Sequence, residues 1–396
     1  MCELRDVFIV SAARTATGNF LGALKNLKAP ELGGFAIREA VRRAGISGED
    51  VDEVIMGNVV SAGIGQASAK QAAVKGGIPH RVSCFAVNKV CGSALKAVAL
   101  AAQAIWLEER EIVVAGGMEN MSQAPHMLWG VRDGVKFGDL KMKDSMILDG
   151  LWCAFDDQHM GMTGEVVAEK FGATRQEQDE YALSSQQKAV KAIENGYFKD
   201  EIVPVDVPQR KGEPLVFEVD EGPRKGTTLE KLEKLRPVFK KDGTVTAGNA
   251  STLNDGAAAV VVASADAAKE KNLQPMARIL GTATFGVEPS MVMYAPKGAI
   301  DKLLAHVGWK IEDVDLFEIN EAFSSQMVVL IKELGLDREK VNVHGGAVAL
   351  GHPIGATGAR ILTTLVYALK HRELKKGIAA LCLGGGDAVA MAVEMV

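Results

Sequence analysis

An α/β fold made of two similar halves, with a different region inserted between them, is what this sequence predicts. Three observations predict it. Short apolar runs suited to buried strands alternate with Ala- and Leu-rich stretches suited to helices. The pattern Gly-x-x-x-Glu-Asp-Val-Asp at 45–52 returns at 308–315, 263 residues later (308 minus 45). Each copy is followed by the same order of features. A Gly-containing turn opens a helix, Cys91-Gly-Ser in the first and His352-Pro-Ile-Gly in the second. An apolar strand ending in glycines comes next, Ala115-Gly-Gly and Leu383-Gly-Gly-Gly. Equivalent loops of two such halves are placed to meet at one site.

The elements follow in order. Val7–Val10 and Ile112–Ala115 are β-branched runs that read as strands. Leu32–Ala44 and Gly92–Trp106 read as helices. Thr174 followed by Glu177 is a capping box opening a long helix that Gly196 ends. Ala257–Val262, Ile378–Leu383 and Ala388–Val393 read as further buried strands. Residues 1–121 with 250–273 are expected to form the first half, and 274–396 the second. The stretch 122–249 reads as an inserted loop domain, turn-rich and containing a basic segment.

Composition excludes several classes. With 396 residues, 47% of them hydrophobic, the chain can build a large core without disulfide staples. A net charge of −5, from 45 basic and 50 acidic residues, is too mild to mark a nucleic-acid or membrane binder. No apolar run reaches the roughly 18 residues that cross a bilayer. Between Met1 and Ser11, Glu3, Arg5 and Asp6 precede the apolar run, the wrong order for a signal peptide. Cys2, Cys84, Cys91, Cys153 and Cys382 are odd in number, spread out and never CxxC. That predicts free thiols in a reducing, cytoplasmic setting.

Some residues stand out as chemistry. Cys91 sits where a helix begins, and a thiolate there is favoured by the positive end of the helix dipole; the alternative is an inert buried thiol. His352 lies in a glycine-rich loop, Gly345 to Gly358, where it can act as a base or an oxyanion donor, or be a satisfied loop histidine. Cys382 precedes three glycines whose N–H groups can hold an oxyanion; taken alone it is a core cysteine. Asn320 reads as opening a helix, with a plain N-cap as its alternative role. Between Arg224 and Lys241, seven Lys/Arg and two Glu suggest an anionic, phosphorylated ligand, or an amphipathic helix with Leu229, Leu232 and Leu235 inward. His344 and His352 raise a metal reading that no Cys/His cluster supports. There is no GxxxxGK[ST], and Gly63-Ile-Gly65 lacks the third glycine of a dinucleotide fingerprint.

Taken together, six motifs in order along essentially the whole chain resemble the thiolase family. They are Asn88-Lys-Val-Cys-Gly-Ser, His159-Met-Gly, Thr246-Ala-Gly-Asn-Ala-Ser, Asn320-Glu-Ala-Phe, Gly351-His-Pro-Ile-Gly and Cys382-Leu-Gly-Gly-Gly. The middle, Met118-Glu-Asn-Met-Ser through His159, is most similar to the family's biosynthetic, short-chain branch. Related acyl-carrier condensing enzymes pair the cysteine with two histidines; Asn320 stands where one would be.

The resemblance implies a thiolase fold, five layers α-β-α-β-α. It also implies a reversible Claisen condensation of two acetyl-CoA to acetoacetyl-CoA and CoA, ping-pong through an acetyl-cysteine. The alternative is a degradative 3-ketoacyl-CoA thiolase of broader chain length. By the resemblance, Cys91 is the nucleophile, His352 accepts its proton and Cys382 moves the α-proton. Asn320, through a water, and His352 bind one thioester oxygen; the N–H groups of Cys91 and Gly384 bind the other. Arg224 lies near the CoA nucleotide, while Ser251, Ala247, His159, Leu151 and Met160 line the pantetheine and acyl path, with Ala322 and Phe323 nearby. The partners implied are acetyl-CoA, acetoacetyl-CoA and CoA, without a metal or other cofactor, nucleic acid or membrane. Gly130–Leu140 resembles the family's tetramerisation loop, implying a dimer of dimers.

Three departures stand out. Ala94 replaces a usual Gly just after Cys91, where its methyl is expected to crowd the helix start. Val292-Met-Tyr-Ala replaces Met-Gly-x-Gly near the acyl pocket. Asp387 follows the three glycines. Rivals of other classes are a non-catalytic acyl-CoA-binding scaffold, which would have lost Cys91, His352 or Cys382, and a dehydrogenase, which the missing glycine fingerprint disfavours.

Overall fold

The computed structural model describes residues 5–396; Met1 to Leu4, Cys2 and Glu3 among them, lie outside the described residues. In chain order come β1 (Val7–Thr15), α1 (Ala29–Ala44), β2 (Glu53–Gly57), α2 (Ser68–Lys75), β3 (Ser83–Val87), α3 (Ser93–Trp106) and β4 (Ile112–Asn120). The region that follows holds α4 (Met160–Phe171), α5 (Arg175–Glu194) and several strands of two or three residues. Then come β5 (Asn254–Ser264), β6 (Ala277–Gly286), α6 (Ala295–Val307), β7 (Leu316–Ile319), α7 (Ser324–Leu334), α8 (Thr357–His371), β8 (Lys376–Leu383) and β9 (Asp387–Met395).

The duplication is visible in the strand order. The first half runs β1-β5-β4-β2-β3, with two antiparallel pairings followed by two parallel ones. The second runs β6-β9-β8-β7, antiparallel twice and then parallel. A seam of two residue pairs, Phe8–Arg278 and Ile9–Ala277, joins β1 to β6. Helices α3 and α8 pack on each other and on strands of both halves; α1 and α2 cover the outer side of the first half and α6 that of the second. These are the five layers the resemblance implied. In α8 every residue from Thr357 to Leu369 is buried, as befits a helix enclosed on all sides.

The repeated octapeptide has a structural reason. Gly45 and Gly308 end α1 and α6 with φ of 72° and 71°, the left-handed conformation that glycine adopts without penalty. The closing aspartates do the same work in each half. Asp52 accepts the N–H groups of Glu111 and Ile112 at 2.8 and 2.9 Å, and Asp315 those of Lys375 and Lys376 at 3.0 and 2.8 Å. Each fixes the start of the neighbouring parallel strand.

Several expectations change at their edges. The first and fourth strands run on to Thr15 and Asn120, because pairing with β5 continues through Gly116 and Gly117. The Thr174–Glu177 box forms as read and caps α5. The basic stretch is not an amphipathic helix: only Leu229–Glu233 is helical, Leu232 is buried, and Leu235 is exposed beside Arg236-Pro237, where proline stops the helix. Asn320 does not open a helix either. Its N–H goes to the carbonyl of Ala380, prolonging the sheet, and α7 starts only at Ser324.

Candidate active site

Cys91 is presented by a strained turn. Between β3 and α3, Val90 takes φ 45°, a left-handed conformation costly for a β-branched residue, by about 1–3 kcal/mol. Local bonds hold it there. Asn88 Oδ1 accepts the Val90 N–H at 3.0 Å, and Ser93 Oγ donates to the Val90 carbonyl at 2.6 Å while accepting the Lys89 N–H at 2.9 Å. A side chain at Gly92 would collide with Leu383, so the turn lies directly against the end of β8. As a result the backbone N–H groups of Cys91 and Gly384 lie where they favour the Cys91 thiolate over its thiol. Burial nevertheless pushes the thiol up to about 12, outweighing those donors. The helix start therefore does not make a resting thiolate, contrary to expectation; the proton needs an acceptor.

His352 carries an unprotonated ring nitrogen. Its backbone N–H is held by Asn254 Oδ1 at 2.9 Å. Thr357 Oγ donates to the Pro353 carbonyl at 2.9 Å, so it can only accept from His352 Nδ1, at 2.7 Å. This network assigns the hydrogen to Nδ1 and leaves Nε2 free. Asn320 Nδ2 lies 3.4 Å from that Nε2. Burial, aided by the charge of Arg360, lowers the imidazole to about 3, so it is neutral at pH 7.

Cys382, at the end of β8, is buried. Its sulfur lies 3.6 Å from Gln326 Oε1 and 3.7 Å from Met293 Sδ. Burial, and then the proximity of Cys91, raise its thiol strongly. Two of the departures have a visible role. Asp387 pairs with Lys89, two residues before Cys91, tying the Gly384–Gly386 turn to the cysteine turn. Ala94 does not crowd the helix start: it packs with Ala258 and Ala359 across from Gly117, where a Cβ would lie 2.7 Å from it. Beneath the site, Glu119 accepts N–H groups from Val59, Val60 and Gly355 and from Asn58 Nδ2, at 2.9–3.2 Å. Burial raises its carboxyl to about 7 against those four donors.

A cavity of about 560 Å³ leads to His352. Leu151, His159, Met160, Arg224, Ala247, Ser251 and Phe323 line it, as the motifs suggested. Ala322 does not. Its carbonyl accepts the Ser251 N–H at 3.0 Å. Of Cys91, Asn320, Cys382, Gly384 and His352, only His352 forms part of the wall. Phe239 also lines the cavity, a residue that the charge and leucine spacing of its segment do not single out. It stacks on His159 with centroids 4.7 Å apart and meets Phe323 edge-on at 6.2 Å. A side chain at Gly161 would strike its ring, which explains the glycine of His159-Met-Gly. Part of the basic segment is paired on the surface, Lys225 with Glu194 and Lys240 with Glu169. His344 stacks on Tyr197 at 4.8 Å, and among the described residues no group of three or more His, Cys, Asp or Glu could hold a metal.

A family profile described as "Thiolase, N-terminal domain" matches residues 7–266, and one described as "Thiolase, C-terminal domain" matches 273–395. A protein of Pseudomonas aeruginosa named acetyl-CoA acetyltransferase is 54% identical over 98% of this chain and 99% of its own. One of the same name from Cupriavidus necator is 55% identical over 99% and 100%. Among solved structures, acetyl-CoA acetyltransferase of Bacillus anthracis superposes with a TM-score of 0.95 at 46% identity, covering 99% of both chains. Human mitochondrial 3-ketoacyl-CoA thiolase in complex with CoA superposes with 0.95 at 43% identity, covering 99% of this chain and 98% of that one.

Proposed function

This chain belongs to the thiolase family and is an acyltransferase; from that premise we propose that it is an acetyl-CoA C-acetyltransferase, reversibly condensing two acetyl-CoA to acetoacetyl-CoA and CoA. The observation that supports the mechanism is the close approach of the Cys91 turn to the end of β8, where the backbone N–H groups of Cys91 and Gly384 favour a negative sulfur, together with the neutral state of His352. Cys91 gives its proton to His352 Nε2 and attacks the first thioester. CoA leaves as a thiolate and takes the proton of Cys382. The Cys382 thiolate then removes a proton from the methyl of a second acetyl-CoA, and the enolate attacks the acetyl-Cys91 carbonyl. Cys91 leaves and recovers its proton from His352, which balances the cycle. Asn320, through a water, and His352 hold the enolate oxygen, while the N–H groups of Cys91 and Gly384 hold the tetrahedral oxyanion. Each such donor is commonly worth about 3–4 kcal/mol.

Arg224 lies at the CoA nucleotide, with His159, Met160, Leu151, Ala247, Ser251 and Phe323 along the pantetheine and Ala322 behind Ser251. The enzyme works without a metal or other resident cofactor, in the cytoplasm, in short-chain and fatty-acid metabolism. It is a tetramer whose contacts include the exposed Trp129, Val131, Val135 and Phe137. No described helix is long and apolar enough to cross a membrane. Thiolysis rates test the reading. Acetoacetyl-CoA is expected to be cleaved faster than a C8 3-ketoacyl-CoA, and Cys91→Ala to form no acetyl-enzyme. A strong preference for C8 overturns the acetyl assignment, and sedimentation as a dimer at micromolar protein overturns the tetramer.

A further inference from the structure

Gln326, in the first turn of α7, is fully buried, and its amide makes two contacts in the site. Nε2 donates to the Asn320 carbonyl at 3.1 Å. Oε1 stands 3.6 Å from Cys382 Sγ, positioned to accept the thiol hydrogen. The Asn320 carbonyl can only accept, so it decides which end of the amide faces the sulfur: nitrogen toward Asn320, oxygen toward Cys382. Met293 Sδ, 3.7 Å from the same sulfur, is a much weaker acceptor.

We propose that Gln326 is a positioning residue for Cys382: its amide oxygen takes the thiol hydrogen and ties the sulfur to the backbone of Asn320. This rests on the reading above that Cys382 moves the α-proton. Two groups of the site, the proton-moving sulfur and the amide placed at the thioester oxygen, are thereby fixed relative to each other through a single side chain. The contact also acts on the chemistry. An acceptor stabilises the neutral thiol, not the thiolate. Once CoA has taken the Cys382 proton, a carbonyl oxygen faces a negative sulfur. Proton removal from the acetyl methyl, which forms S–H and passes the C–H pair to the enolate, relieves that contact. Cys91, from the turn before α3, is the titratable group whose charge acts on Cys382; Gln326 and Met293 carry none.

The test compares Gln326→Met, which keeps length and volume, with Gln326→Glu. In a Cys91→Ala background the pH dependence of Cys382 alkylation by iodoacetamide is read from the mass of its peptide. The inflection is expected to fall in Gln326→Met, where the oxygen acceptor is gone, and to rise in Gln326→Glu, where the acceptor carries charge. With Cys91 intact, kcat for condensation is expected to drop about tenfold or more in both, within the roughly hundredfold that misplacement of a reacting group costs. KM for acetyl-CoA should stay within about twofold. An unmoved inflection, or movement in the same direction in both variants, overturns the proposal. Exchange of the acetyl-CoA methyl hydrogens with deuterated solvent separates it from the reading beneath it. Exchange that persists in Cys382→Ala overturns the role of Cys382. Exchange lost there but unchanged in Gln326→Met overturns the role of Gln326 alone.

Discussion

Glu119 Oε2 accepts the backbone N–H of Gly355 at 3.0 Å, so a carboxylate at the end of a first-half strand holds the loop that carries His352 in the second. The same carboxyl accepts Asn58 Nδ2, Val59 N–H and Val60 N–H. Four donors converge on it, and an amide in its place turns an NH₂ toward two of them. Glu119→Gln is expected to destabilise the fold by about 2 kcal/mol, from buried donors left unpaired. Urea unfolding with an unchanged midpoint would show that the carboxylate is not needed.

Acid stability should report His352. Its imidazole falls from 6.5 to about 3 on folding, so the unfolded chain takes up this proton first. The depressed group contributes stability that is present above pH 6.5 and is lost as pH falls toward 3. His352→Gln should flatten that part of the stability curve. Equal slopes for both proteins between pH 6 and 4 would contradict the assignment.

At high pH the sign reverses. Cys91 rises from 9.0 to about 12 on folding, so its contribution is intact below pH 9 and is lost as pH climbs through 12. Iodoacetamide should therefore modify Cys91 ever faster from pH 7 to pH 10, without a plateau. A plateau near pH 7 would mean a preformed thiolate.

The Lys89–Asp387 pair joins the two turns that present N–H groups to Cys91, with both side chains about a quarter exposed (26% and 28%). Such a partly exposed pair adds about 0.5 kcal/mol to stability. Its larger effect should be on rate. Asp387→Asn is expected to lower kcat about threefold at low salt with less effect on KM, the difference shrinking at high salt as screening weakens the pair. Identical kcat values at low salt would remove the role.

Met293 occupies the space beside Cys382, and Val292 is fully buried next to it. Met293→Ala should raise the kcat/KM ratio of C6–C8 over C4 3-ketoacyl-CoA by roughly tenfold, the scale of one or two methylenes in an apolar pocket. An unchanged ratio would show that chain length is limited elsewhere.

Much of this was legible in the residues because it is local. The octapeptide repeat foretold two similar halves, and the alternation of runs foretold α/β layers; the matching glycine caps and aspartate clamps are the physical reason the repeat is there. The six motifs led to the turns around Cys91, His352 and Cys382. What escaped depends on tertiary contact. Phe239 reaches His159 only when two separate segments of the inserted region fold together, and Gln326 meets Cys382 across 56 residues. The neutral state of Cys91 also escaped, because a helix start is visible in sequence while desolvation is not.

The two halves share a seam of two residue pairs, Phe8–Arg278 and Ile9–Ala277, and also meet through the stacked helices α3 and α8 and through loop contacts such as Glu119–Gly355. Neither half alone contains a complete hole for an oxyanion. During refolding, thioester turnover should therefore lag behind secondary structure and return only when those helices dock, making enzymatic activity a clock for the last step of assembly.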